Sequence, residues 1–262
     1  MRKLFYILIA LSVWACDEDD LTPSEFEPLY QIETTTDVGK SIAEIHATYN
    51  SYLLYDFDES DYKGSITYQN HVTIVPQESQ EVINTSVEFA KEFFFELYDE
   101  EFMKEYAPFK VLLADTIKTT GFFPFPLDCY ASYNFVAISN FRDDWQSMTD
   151  TEKNSFKTKI KKTFIKDYVI KYEHLTAPEE FGEVSKAHYG QWAPWGANFM
   201  EYGFWPEGYS FPRDANEDFG MYAEKMIELT DEEILSQIQG FPLMEEKYNI
   251  IKDWLVKNQI EL

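Results

Sequence analysis

Basic residues, cysteine, histidine and glycine are all scarce in this 262-residue chain, and each shortage removes a class of function. Twenty-two Lys and Arg stand against 47 Asp and Glu, a formal charge of −25. Recognition of a phosphate backbone needs a basic surface, so nucleic acid is excluded as a partner. Anionic lipid headgroups repel such a chain as well, so any membrane attachment falls to something other than its charge. There are only two cysteines, Cys16 and Cys129, and no paired-cysteine metal motif. The four histidines, His46, His71, His174 and His188, never fall at the spacing of a helical metal-binding pair. A joint site of His174 and His188 has only weak support, because a short helix and a turn separate them. No glycine-rich phosphate loop or nucleophile elbow is present. The apolar stretch of residues 4–15 is too short to cross a bilayer as a helix.

What is abundant is apolar and aromatic: 45% hydrophobic and 18% aromatic residues can fill a sizeable core, which rules out global disorder. The beginning of the chain carries its own instruction. Met1-Arg2-Lys3 is a short basic head, residues 4–15 are the apolar segment, and a small residue, Ala15, precedes Cys16. That is the layout of a secretory signal. Val13-Trp14-Ala15-Cys16 resembles the lipobox of bacterial lipoproteins, in which the cysteine is lipidated; Trp14 departs from the small residue usual there. Asp17-Glu18-Asp19-Asp20 follows at once and resembles the export signal that carries lipoproteins to the outer face of a Gram-negative outer membrane. The expectation is a signal peptide over 1–15, lipidation at Cys16, and a cell-surface location held by the lipid. The mature chain then has 20 Lys and Arg against 47 Asp and Glu, a charge of −27. With Cys16 modified, Cys129 has no disulfide partner and reads as a lone buried thiol.

Residues 16–40 are acidic and polar, with Pro23, Pro28 and Thr34-Thr35-Thr36, and read as a tether. A single domain is expected over 41–262. Within it the patterns predict a helix over 42–55, a strand over 66–75 and one long helix over 80–106. Lys110–Ala114 and Phe135–Ile138 are continuous apolar runs of the kind found in buried strands. Asp56-Phe57-Asp58-Glu59-Ser60-Asp61 resembles the start of a calcium loop, but it lacks the glycine and the final acid such a loop needs. Thr149-Asp150-Thr151-Glu152 is a capping box. Phe156, Ile160, Phe164, Tyr168 and Tyr172 then repeat every fourth residue, predicting a helix to about 173. A short helix follows Pro178, residues 188–213 are an aromatic loop, and helices restart near Asp214, Thr230 and Pro242. The class is α+β, with strands early and helices late.

Three segments carry a further resemblance: Ala177-Pro178-Glu179-Glu180-Phe181, Asn216-Glu217-Asp218-Phe219 and Asn249-Ile250-Ile251-Lys252-Asp253-Trp254-Leu255. In order and spacing, after the Lys110–Ala114 strand, they are similar to the zinc-metallopeptidase-like (metallohydrolase) lipoproteins that accompany outer-membrane nutrient-import systems. The resemblance implies a zincin-like metallopeptidase fold, a small mixed sheet followed by a mainly helical C-terminal half. It also implies an active helix bearing His-Glu-x-x-His with a third histidine three residues on. Counted back from Pro178, those histidines fall on Lys166, Ile170 and Glu173, and the catalytic glutamate on Asp167. Zinc takes imidazole, thiolate or carboxylate ligands, and neither a lysine nor an isoleucine supplies one. A register one residue later puts the histidines on Asp167, Lys171 and His174 and the glutamate on Tyr168, which still fails.

The expectation is therefore a chain with no metal or other cofactor and no catalytic residues. It would serve as an accessory subunit beside an outer-membrane transporter or barrel complex. In the first register Lys166 is expected to pair with Glu217 and stand in for the missing cation. Two alternatives stay open. One is a zinc-dependent hydrolase with a different constellation, such as Asp167, Glu173, His174 and Glu217. The other is capture of a glycan or peptide by the aromatic loop, through Trp192, Trp195, Tyr202 and Trp205, with Phe204 and Tyr209 beside them.

Overall fold

Lys110–Thr119 (β3) explains most of the architecture. In the computed structural model, which describes residues 29–64, 71–141, 144–258, 260 and 262, this ten-residue strand is the spine of a mixed sheet. Its first half pairs in parallel with Tyr52–Leu54 (β1) on one side and Phe135–Ile138 (β6) on the other. Its second half pairs antiparallel with Val72–Pro76 (β2) and with Pro126–Leu127 (β4). Cys129–Ser132 (β5) adds antiparallel to β6. The apolar run of β3 is continuous because both of its faces are covered. Val111 and Leu113 enter the main core, while Leu112 and Ala114 join a second cluster with Phe57, Tyr62, Val72, Ile74 and Phe135.

Helices cover the main-core face. Asp37–Tyr49 (α1) precedes β1 and buries Ile42 and Ile45 there, while Glu59–Tyr62 (α2) follows β1 and sends Tyr62 into the second cluster. The expected long helix divides into Gln80–Ala90 (α3), a π-helical turn over Lys91–Phe95, and Glu100–Tyr106 (α4). It breaks because the Asp99 side chain accepts from Phe102 N–H and starts a new helix. The Thr149–Glu152 capping box is formed, with both reciprocal bonds in place, and opens Asp150–Lys162 (α5). From Thr163 to Ile170 the same rod continues as a π-helix. Glu179–Val184 (α6), Ala215–Glu228 (α7), Asp231–Ile238 (α8) and Pro242–Asn258 (α9) complete the C-terminal half. The class is α+β, a mixed sheet followed by a mainly helical half, as the patterning predicts.

Several local expectations change. Helix α1 begins at Asp37, inside the stretch expected to be tether, and ends at Tyr49; Tyr52–Leu54 is a strand because it pairs with β3. Strand β2 occupies 72–76, and residues 66–70 of the predicted strand lie outside the described residues. The signal segment 1–15, Cys16 and the tether up to residue 28 lie outside them too. The acidic turn at Asp58 is a helix cap: Asp58 accepts from Ser60 N–H at 2.7 Å, and Asp61 accepts from Asp58 N–H at 3.0 Å. Ile32–Leu262 forms one compact unit that holds both core clusters. Among the described residues no helix is long and apolar enough to cross a membrane.

Candidate functional site

The π-helical segment 163–170 faces helix α7 across a cleft of about 420 Å³. Lys166, Asp167, Ile170, Lys171 and Glu173 line one wall; Arg213, Asp214, Asn216, Glu217 and Gly220 line the other. The four positions that the resemblance assigns to a metal motif, Lys166, Asp167, Ile170 and Glu173, therefore share one cavity with Asn216 and Glu217. The later register does not: Tyr168 is buried, stacked near Phe164 and beside His174, and neither Tyr168 nor His174 lines the cleft. The π-helical turn explains why both Ile170 and Lys171 follow Lys166 onto this wall. Its hydrogen bonds run from i to i+5, as from Lys171 N–H to Lys166 O at 3.1 Å, so residues four and five apart both come one turn later. Gly220 lies opposite Lys166 and Ile170, with room for a Cβ in ordinary contact with both.

The expected pairing of Lys166 with Glu217 is not what forms. Lys166 Nζ donates to Glu224 Oε2, about two turns further along α7 than Glu217. Lys162 reaches the same carboxylate at 2.6 Å and Glu228 at 2.5 Å. Burial pushes the Glu224 carboxyl up, but the hydrogen bonds from Lys162 and Lys166 outweigh it and hold the group below its usual range. Glu217 is occupied at the start of its own helix. It accepts from Arg213 N–H at 2.6 Å and Arg213 Nε at 3.1 Å, while Asp214 caps Glu217 N–H at 2.9 Å. Asp167 is partly buried, and that burial raises its carboxyl despite the nearby Lys171 and Lys166.

The rest of the motif is structural. Asn216 Oδ1 accepts from Ala177 N–H at 2.7 Å, tying the Pro178 segment to α7. Phe219 packs in the core against Phe181. Asp218 is fully buried and bonds Lys247, itself fully buried on α9. Lys247 also donates to Gly203 O at 3.0 Å, and Tyr189 Oη donates to Asp218 at 2.8 Å. Aromatic rings surround the ammonium: Phe204 at 4.3 Å, Phe181 at 5.0 Å and Tyr189 at 5.4 Å from their centroids. Burial still dominates the carboxyl, which is pushed up to about 6, and it lowers the ammonium. Sequence reading passes over Lys247, yet a signal was present. Met244, Lys247, Tyr248, Ile251 and Leu255 share one buried helical face, on which a lysine is out of place without a partner.

The donor set does not fit zinc. Lys166 is held by Glu224, Ile170 carries no donor atom, and Glu217 is used as a cap. His46 stacks on Tyr52, His174 lies against Tyr168, His188 lies between Tyr202 and Phe211, and His71 is exposed. Among the described residues no three His, Cys, Asp or Glu side chains converge to hold a metal. Cys129 is a free, half-buried thiol.

The aromatic loop divides into two sets. Trp205 is 3% exposed and packs near Tyr222 in the core, so it offers no face to a ligand. Phe204 is buried too, and Tyr202 is half-buried against Phe211. Trp192, Trp195 and Tyr209 stand in solvent. A bridge between Trp192 and Ser210, with Phe211 N–H on Gln191 O at 3.0 Å, holds the base of that loop.

No protein-family model and no curated protein matches the chain. The structure is similar to the crystal structure of a protein provisionally described as a zinc-binding metallo-peptidase from Bacteroides caccae. The identity is 13%, the TM-score 0.49, and the match covers 86% of this chain and 87% of that one.

Proposed function

We propose that this chain is a metallopeptidase-like surface lipoprotein that has given up metal chemistry and serves as an accessory subunit of an outer-membrane complex of the nutrient-import type. One observation carries the reading. The positions that the motif order assigns to ligands and base, Lys166, Ile170, Glu173 and Asp167, meet the Glu217 helix in a single cleft and present no metal-binding set there. Lys166 is instead tied into an ion-pair cluster with Glu224 and Lys162. The core residues Phe156, Ile160 and Phe164 pack without needing an ion, so the frame outlasts the chemistry. The N-terminal signal and Cys16 support placement at the membrane, and the acidic run after Cys16 supports export to the outer face.

Purified protein supplied with zinc is expected to leave an unstructured protein substrate such as casein intact. Cleavage that a chelator abolishes would establish the hydrolase alternative built on Asp167, Glu173, His174 and Glu217. Affinity purification from native membranes is expected to bring down a barrel transporter; recovery of the lipoprotein alone argues against the subunit role.

A second reading is favoured by the exposure of Trp192, Trp195 and Tyr209 on one loop: capture of a glycan or peptide at the surface. Binding on a glycan array that disappears in Trp192→Ala and Trp195→Ala supports it. Binding that survives both substitutions removes it.

A further inference from the structure

The turn between β3 and β4 is built unlike the rest of this molecule. In a chain with 26% charged residues, positions 119–127 read Thr-Thr-Gly-Phe-Phe-Pro-Phe-Pro-Leu and contain no ionisable group. Phe122, Phe123 and Phe125 are 94%, 83% and 56% exposed, although three neighbouring large apolar side chains in water carry a cost that a fold of this size readily avoids. Phe122 and Phe123 meet edge to face, with centroids 5.1 Å apart, so the rings form one projecting wedge rather than separate side chains. Gly121 turns the chain at φ 138°, a conformation that side-chain-bearing residues rarely adopt, and open space lies where a Cβ would stand.

The backbone of the turn is as unusual as its side chains. Pro124 and Pro126 have no N–H to satisfy. Thr119 N–H bonds Phe125 O at 3.1 Å, Phe125 N–H bonds Thr119 Oγ1 at 3.0 Å, and Thr120 N–H bonds His71 O at 2.9 Å. These bonds hold the base of the turn, so the rings project from a fixed stem. Lys118 is the nearest cation along the chain and is exposed in β3 just before the tip, where a long side chain can keep its charge at headgroup level.

We infer that the Phe122–Phe123–Phe125 tip inserts into the interfacial layer of a lipid bilayer and orients the domain on its membrane. Three points select a bilayer over a protein partner. A projecting tip of three rings falls far short of the roughly 800 Å² per partner that a stable protein interface buries. Its lack of charge means that the tip itself meets no repulsion from lipid headgroups, unlike the acidic remainder of the molecule. The expected lipid at Cys16 already keeps the domain beside a bilayer, so even a weak second contact is made at high local concentration. The inference stands on the tip alone and survives if Cys16 is unmodified.

The test is co-flotation of residues 17–262 with phosphatidylcholine vesicles. This form lacks the anchor but keeps the compact unit Ile32–Leu262, which holds both core clusters. The unaltered form is expected to float with the vesicles, and Phe122→Ser with Phe123→Ser is expected to lower its partitioning at least tenfold. Both side chains are exposed, so circular dichroism should show the variant folded. Trp192→Ser with Trp195→Ser, altered in the other exposed aromatic loop, should float as the unaltered form does. Failure of the unaltered form to float, or equal flotation of the Phe122/Phe123 variant, overturns the inference. So does a tip-dependent association seen only in native membranes and absent from pure lipid, which would make the contact a protein partner.

Discussion

At the scale of single residues, the buried Asp218–Lys247 pair is the most consequential. Neither side chain reaches solvent, so the pair holds α7 and α9 in one fixed relation, and breaking it leaves a charge with nowhere to go. Lys247→Met should cost about 3–5 kcal/mol in a urea titration. Lys247→Met with Asp218→Leu should recover most of that loss, because two apolar side chains need no partner. The same carboxyl makes a pH prediction. Its folded value of about 6 lies above its ordinary 3.8, so between those values the folded chain keeps a proton that the unfolded chain releases. Stability from this group is therefore highest at the acidic end, falls as pH rises through that window, and reaches its full penalty above about 6. Carboxyl NMR should find the Asp218 midpoint near 6, and a midpoint near the ordinary value would show that the pair is solvated. These two residues also mark a limit of sequence reading. Asn216-Glu217-Asp218-Phe219 stands out as a motif, but its roles as loop tie, helix cap, buried ion and core ring depend on Ala177, Arg213, Lys247 and Phe181, and only folding brings those residues together.

At the scale of elements, what depends on neighbours in the chain is legible and what depends on distant pairing is not. The capping boxes at Thr149–Glu152 and Thr230–Glu233 form as their spacing predicts, since every hydrogen bond in them lies within three residues. The expected strands at Lys110–Ala114 and Phe135–Ile138 are present for the same reason of local pattern. Tyr52–Leu54 and Cys129–Ser132 are strands only because β3 and β6 supply their partners. The π-helical turns leave no local signature, as the fourfold repeat from Phe156 to Tyr172 suits a π-helix and an α-helix almost equally. One element-level prediction follows from the close approach of α7 to the cleft wall. A Cβ added at Gly220 would lie 3.5 Å from Lys166 Cγ and 3.6 Å from Ile170 Cγ2, which is ordinary contact. Gly220→Ala should therefore stabilise the protein by up to about 1 kcal/mol through helix propensity. A loss of stability in thermal unfolding would mean that the helices are closer than this geometry.

At the scale of the whole molecule, the sheet and its helical cover form a frame whose cohesion comes from aromatic packing. Phe89, Phe93, Phe94 and Phe164 all lie in one core. Around that frame the acidic surface, the aromatic loop at Trp192 and Trp195, and the Phe122–Phe125 tip are the features turned outward. The class of fold was legible from patterning because apolar periodicity reports burial directly. The candidate cleft was legible only in part. The row Lys166, Asp167, Ile170 and Glu173 does share a wall, while the partner of Lys166 is Glu224 rather than Glu217, since side-chain reach across two helices is set by their packing. The account as a whole stands on that cleft being unable to grip a transition metal. Elemental analysis of the folded protein, dialysed against micromolar zinc and then against buffer, tests this most directly. The account predicts zinc far below one equivalent per chain; one tightly held equivalent, removed only by a chelator, would contradict it.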